Sequence, residues 1–364
     1  MCSVVCWLPL ARSNKFDLVL LHKSLSFILC LVVKRKGMVI IMRKILVLGA
    51  NGGIGRYLID YFNENGSENF EIIGTGRHDF NFGSDIPNFT YLKLDICKKE
   101  DFQKLPKDIY AVIILAGLMP ARMVGYHPEE YLNTNILGVL NVLEFCKDNN
   151  VDRVIFTQSF GDIKDRAEDN ILLKPDMSPK FNYGTDHSVY VVSKNTAVEL
   201  IKCYHIMYGI KAFIFRLPTV YLWSHNDSYY VDGIIRKCAW RILIDKATKG
   251  EDIEVWGDPN REKDMVYVKD FCQMLYLSCL TDVSYGHYNV GTGVGVSLLS
   301  QIQGMIDVFS EEKTSKIVFR PDKHNAPQYI MDISNAVKDL GYKPKYNYID
   351  MLIDMKLERD LGRF

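Results

Sequence analysis

The segment Lys44-Ile45-Leu46-Val47-Leu48-Gly49-Ala50-Asn51-Gly52-Gly53-Ile54-Gly55 constrains this chain more than any other. A short apolar run ends in glycines spaced Gly49-x-x-Gly52-x-x-Gly55. Arg56-Tyr57-Leu58-Ile59-Asp60-Tyr61-Phe62 then continues with apolar residues at helical spacing. The pattern reads as a buried strand, a tight turn and a helix. Glycines let the backbone bend sharply and let a bulky anion come close. A helix starting there offers unpaired N–H groups and the positive end of its dipole. A dinucleotide pyrophosphate needs both. In a chain with 25 glycines the triplet alone says little, and its place between strand and helix gives it weight.

From Ile45 onward strand and helix patterns alternate, which predicts an α/β fold, a doubly wound parallel sheet covered on both faces. Further strands are expected at 70–74, 90–95, 110–117, 152–159 and 211–216. Helices are expected at 98–105, 128–149 and 189–208. After Pro218 the alternation stops, so 42–217 reads as a dinucleotide-binding domain and 218–364 as a smaller substrate lobe. That boundary is soft, because a late strand can return to the sheet.

Composition narrows the partners. The 44 basic and 44 acidic residues give no net charge, and no basic stripe suggests nucleic acid. The nine cysteines are odd in number and widely spaced, without a C-x-x-C pair. They read as reduced, mostly buried thiols of a cytoplasmic protein. The eight histidines form no H-E-x-x-H pair, so no catalytic metal is expected. Residues 1–41 read as outside the fold. Their apolar run Phe27–Val33 is well short of the roughly 20 residues a spanning helix needs. The charges Lys34-Arg35-Lys36 follow that run, the wrong order for a signal peptide. Three readings stay open: an extension ahead of a natural start at Met42, a membrane-surface anchor, or a folded appendage.

The second constellation is Tyr190-Val191-Val192-Ser193-Lys194. Four residues apart on a helix, the phenol and the ammonium share one face. A phenol is a poor base at neutral pH, and a neighbouring cation lowers its pKa. Tyr190 could then take a proton from a substrate hydroxyl while hydride leaves the same carbon. This is the only Tyr-x-x-x-Lys among 21 tyrosines. Ser159 falls at the carboxyl end of the fifth strand, where open α/β sheets hold their ligands. It could hydrogen-bond the reacting oxygen, or simply cap a turn.

These residues together resemble the extended short-chain dehydrogenase/reductase family, in its branch of NAD(P)-dependent nucleotide-sugar epimerases and dehydratases. The resemblance spans about 42–350. Tyr131–Gly138 is similar to its N-x-x-G helix motif, and Arg216-Leu217-Pro218-Thr219-Val220-Tyr221 to its R-x-P-x-x-Y segment. Trp256–Arg261 with Asp264–Asp270, then Tyr288–Gly293 and Leu340–Pro344, are similar to its later motifs. The resemblance implies a Rossmann-type fold and a homodimer built on the long helices. It implies catalysis by Ser159, Tyr190 and Lys194. It implies cofactor contacts at Gly49, Asn51, Gly52, Gly53, Ile54, Gly55, Arg77, Asp95, Ile96, Ala116, Gly117, Asn135, Tyr190, Lys194 and Pro218. Substrate contacts fall on Ser159, Tyr190 and Arg261, whose guanidinium would grip the phosphates.

Two departures shape the expected function. Many members carry an acidic residue at the end of the second strand for the NAD ribose; here Gly74-Thr75-Gly76-Arg77 stands there, and an arginine suits the 2′-phosphate of NADP. Phe160 and Gly161 occupy the places of a 4,6-dehydratase's acidic pair. The leading expectation is therefore a nucleotide-sugar epimerase acting through a transient keto intermediate. A keto-sugar reductase consuming NADPH is the alternative, and a non-catalytic cofactor sensor is disfavoured by the intact Ser159, Tyr190 and Lys194.

Overall fold

A computed structural model describes residues 32–35, 38–80, 82–168, 172–231 and 234–364. Its centre is a sheet of seven strands: β1 (Arg43–Leu48), β2 (Phe70–Gly76), β3 (Phe89–Lys93), β4 (Ile109–Ile114), β5 (Arg153–Ser159), β6 (Lys211–Leu217) and β7 (Tyr285–Asn289). They are all parallel and lie in the order β7-β6-β5-β4-β1-β2-β3. The chain runs outward from β1 in both directions, so a crevice opens above the carboxyl ends of β1 and β4.

The sheet is held by alternation along its strands. Ile45 and Val47 of β1 face one core, with Tyr57, Leu58 and Phe62 of α1 (Gly53–Gly66) and Phe271 of α5 (Val268–Ser278). Leu46 and Leu48 face the other. There they meet Val139 and Val142 of α2 (128–148) and Ala197 and Ile201 of α3 (Ser188–Tyr208). Each fully buried aliphatic side chain of this kind contributes about 1.5–3 kcal/mol. α2 is one helical run with a wider π-helical turn at Leu132–Leu137, between α-helical Pro128–Tyr131 and Gly138–Asp148. The helix expected at 98–105 is a tighter 3-10 turn, Lys99–Lys104.

The segment after residue 217 adds α4 (Ala239–Lys249), α6 (Leu298–Phe309), α7 (Ser334–Leu340) and α8 (Tyr348–Leu361). It also returns β7 to the sheet beside β6, with Tyr285 opposite Ala212 and Asn289 opposite Arg216. The apolar residues of α6 and α8 join the α1 face in one continuous core. Residues 32–35 and 38–41 form an antiparallel ribbon that joins no other sheet. The expected apolar segment before it lies, up to residue 31, outside the described residues. No helix among the described residues is long and apolar enough to cross a membrane. Cys146, Cys272 and Cys279 are buried, whereas Cys97 and Cys203 are exposed, so burial is less general than expected.

Two glycines make the turn after β1. Gly49 has φ +90°, and a Cβ there would stand 2.7 Å from the Ala116 nitrogen. A Cβ on Gly55, in the first turn of α1, would stand 2.5 Å from the Gly49 oxygen. At Gly52 the nearest atom would be 3.3 Å away. Gly55→Ala should therefore lower stability by about 1–3 kcal/mol, the usual cost of overpacking. Gly52→Ala should cost clearly less. Thermal unfolding of both variants checks this, and equal losses would contradict it.

Candidate active site

A cavity of about 220 Å³ opens over the carboxyl ends of β1 to β4. Its walls include Gly49, Asn51, Gly52, Gly76, Arg77, Asp95, Ile96, Ala116 and Gly117, so eight of the residues expected to hold a dinucleotide converge there, with Gly76 added. The fit to a pyrophosphate rests on α1. Gly52 caps this helix without a side-chain hydrogen bond, and its first turn carries no acidic residue. Its N–H groups are thus presented to an anion, and the bare glycine backbone admits one. Gly53 and Ile54 begin the helix, and Gly55 is buried beneath the turn.

The rim beyond β2 is shaped against an acidic side chain. A Cβ on Gly76 would stand 2.5 Å from Asn51 Oδ1 and 2.6 Å from the Tyr91 hydroxyl. Arg77 follows and is exposed at the cavity wall. Asp79 turns outward toward Lys93, 3.6 Å away. Asn135 is buried. Its side chain accepts from Leu118 N–H and donates to the Leu118 carbonyl, both at 2.9 Å, and donates to Ser193 Oγ at 3.0 Å. Ser193 in turn donates to the Tyr190 carbonyl. Asn135 therefore ties the loop after β4 to the helix that carries Tyr190.

Ser159, Tyr190 and Lys194 stand next to this crevice. Ser159 ends β5, and its Oγ accepts the Gly161 N–H at 3.1 Å. Its hydroxyl also stands near enough to Tyr190 to favour the charged form of the phenol. Burial raises the Tyr190 pKa above the ordinary phenol value, and the Ser159 hydroxyl pulls it back. The sequence suggested Lys194 for that second role; in the folded protein burial dominates and Ser159 supplies the opposing pull. The Lys194 ammonium lies 4.2 Å from the centre of the Phe156 ring and 3.7 Å from where a Cβ on Gly117 would be. Burial pushes it down to about 7. Pro218 is buried just past the end of β6.

The sequence reading missed one cation. Lys263 is surrounded by phenols: its Nζ donates to the Tyr221 hydroxyl at 2.8 Å and stands 5.6 Å from the centre of the Tyr329 ring. Burial works to lower its pKa, but Tyr221 and Tyr329 outweigh it, and the ammonium is held above the usual lysine value. Tyr329 packs on Phe160 at 4.8 Å between ring centres, directly beside Ser159. Arg261, the expected phosphate grip, donates from Nε to the Ala326 carbonyl at 2.6 Å. The only sequence signal for Lys263 was its position in the Trp256–Asp270 motif, where Arg261 drew the assignment.

The model of the NAD dependent epimerase/dehydratase family matches residues 45–291. The chain belongs to this family. Within it, the chain falls in the extended short-chain dehydrogenase/reductase branch that includes nucleotide-sugar epimerases. A putative UDP-glucose 4-epimerase of Methanocaldococcus jannaschii is 28% identical over 308 residues, covering 83% of this chain and 93% of the relative. Among solved structures, the UDP-glucose 4-epimerase of Thermotoga maritima with UDP-glucose superposes with a TM-score of 0.69 at 22% identity, covering 88% of this chain and 99% of that one. The UDP-glucuronic acid 4-epimerase of Bacillus cereus with NAD gives 0.68 at 24% identity, covering 88% and 98%.

The buried lysine carries a stability signature. The folded pKa of Lys194, about 7, lies below its ordinary 10.5, so between these values the unfolded chain binds more protons. The cost to stability is full below pH 7 and fades as pH rises toward 10.5. Lys194→Met should remove it, a gain of about 1–4 kcal/mol for an apolar replacement of a buried charge. Cofactor-free variant should melt above wild type at pH 7, and the gap should close near pH 10. A variant that melts below wild type at neutral pH would refute this.

Proposed function

We propose that this protein is an epimerase of a nucleotide sugar. The observation that carries the reading is a half-buried Tyr190 on which the Ser159 hydroxyl acts, on the helix whose Lys194 ammonium borders the dinucleotide crevice at Gly117. Tyr190 removes the proton from a sugar hydroxyl and later returns one to the carbonyl oxygen. Ser159 donates to the same oxygen and holds it against the phenol. Lys194 faces the strand end where the cofactor's ribose belongs. A bound nicotinamide supplies the hydride acceptor and donor, so the cycle has no net redox change. Asn51, Gly52 and the first N–H groups of α1 hold its pyrophosphate. Lys263 holds the substrate's phosphates, with Arg261 as an outer contact.

Arg77 and the closed space at Gly76 favour NADP over NAD. The same two residues support a second reading, a reductase of a keto-sugar that consumes NADPH. In the proposed arrangement 42–217 holds the cofactor and 218–364 covers the sugar, in the cytosol. Leu132 and Leu137 of α2 and Val192 of α3 are exposed large apolar residues on the long helices, which supports a homodimer formed there.

With a panel of UDP-hexoses, the epimerase reading predicts altered sugar stereochemistry with no steady loss of reduced nicotinamide; steady loss means the reductase. Tyr190→Phe should lower turnover by at least about 100-fold while cofactor affinity changes little. Turnover that survives would remove Tyr190 from its role. Lys263→Met should raise KM for the nucleotide sugar at least about tenfold, leaving cofactor affinity intact, since a charged contact is worth roughly 1.5–3 kcal/mol. Direct titration should find NADP bound more tightly than NAD, with Arg77→Ser narrowing or reversing the order. A wild type that prefers NAD tenfold would defeat that part.

A further inference from the structure

Beneath the catalytic turn lies a buried polar cluster that the proposed chemistry does not use. Gln158, one residue before Ser159, donates from Nε2 to Asp162 Oδ2 at 2.9 Å and to Asn195 Oδ1 at 2.8 Å. Its Oε1 lies 2.7 Å from His287 Nε2. The amide oxygen only accepts, so His287 must donate there from Nε2–H. Burial, then Arg216, pushes the His287 pKa down to about 3. Asp162 Oδ2 also accepts from Arg216 Nη2 at 2.9 Å and Nε at 3.2 Å. Gln158, Asp162 and Arg216 are all less than 5% exposed, at 4%, 1% and 2%.

The cluster grips both ends of the Ser159 turn. Ser159 stands between Gln158, bound on one side to Asn195 of α3, and Asp162, bound on the other to Arg216 of β6. Asn195 directly follows Lys194. Gly161, inside the turn, leaves no slack: a Cβ there would stand 2.9 Å from Val191 Cγ2, one residue past Tyr190. Because Ser159 Oγ accepts the Gly161 N–H, its own O–H is directed to another acceptor. A buried ion pair is a poor means of adding stability, since desolvation offsets most of its attraction. Fixing one geometry is what this one can do well.

We propose that Gln158, Asp162 and Asn195 are positioning residues that hold Ser159 against Tyr190, through a clamp joining β5, β6 and α3. The proposal rests on the catalytic reading above for its consequence, but its geometry can be tested without it. Asn195 lies at the partly exposed edge of the clamp, so Asn195→Leu should fold. Asp162→Asn keeps the shape and removes the charge, and serves as the second variant.

Crystal structures should show Ser159 Oγ farther from the Tyr190 hydroxyl than in wild type in at least one of the two variants. An unchanged distance in both overturns the clamp. In turnover of the UDP-hexose that wild type uses best, Asn195→Leu should lower kcat about tenfold or more, with KM and NADP affinity within about twofold. In a Ser159→Ala background the same substitution should cost less than about twofold, because the group it positions is gone. A fully additive loss overturns the proposal, since the effect would then reach catalysis by another route. If wild type turns over no UDP-hexose, the epimerase reading fails, and the crystallographic distance still decides the clamp.

Discussion

The site depends on removing a phenol and an ammonium from water at the end of a parallel sheet. Burial pushes Tyr190 up and Lys194 down, so both move toward their neutral forms. A neutral phenol beside a depressed lysine is a poor base until something stabilises its anion. The Ser159 hydroxyl is the one side-chain group that pulls Tyr190 the other way. The geometry around Ser159 is thus the adjustable part of the proposed acid–base machinery. That explains why so many polar contacts are spent within four residues of it.

Lys263 shows what a buried lysine becomes when its neighbours differ. Lys194 is buried and Lys263 half-buried, yet their pKa values move in opposite directions. Lys194 has an aromatic face and the bare backbone of Gly117 close by. Lys263 has phenol oxygens, one of them hydrogen-bonded at 2.8 Å. The first suits a group that tunes a proton transfer near neutrality. The second remains a cation across the physiological range, which suits an anion. Two residues of one type differ in charge state because their surroundings differ.

Local pattern carried the first half of the fold well. Strand runs of Val, Ile and Leu with a glycine turn and amphipathic helices are short-range signals, and β1 to β6 with α1 to α3 follow them. Strand β7 was harder to see, since Tyr285-Gly286-His287-Tyr288-Asn289 lacks an aliphatic run and earns its place only beside β6. The same distinction runs through the site. Glycines whose job is to be absent side chains were readable one by one. Lys263 was not, because its role depends on Tyr221 and Tyr329, which lie 42 and 66 positions away in sequence (263 − 221 and 329 − 263). Asn135 was identified from its motif but not for its work, which depends on meeting Leu118 and Ser193 across the helix pair. The π-helical turn around it has no sequence pattern that propensity could have revealed.

The turn after Ser159 also bears on which chemistry the crevice can support. A 4,6-elimination needs a second acid and base beside the tyrosine, and where the family resemblance would put that acidic pair the chain has Phe160 and Gly161. Neither place is vacant. The Phe160 ring packs on Tyr329, a wall of the lysine cage, and Gly161 is pressed against Val191. A carboxylate at 160 would lose that ring contact and lie between apolar groups, and a side chain at 161 would force the turn away from α3. An acidic pair at 160 and 161 would therefore disturb both the setting of Ser159 and the packing against Tyr329 beside Lys263. Oxidation and return at one carbon needs only the groups that this turn keeps in place, which is why the packing and the proposed reaction point the same way.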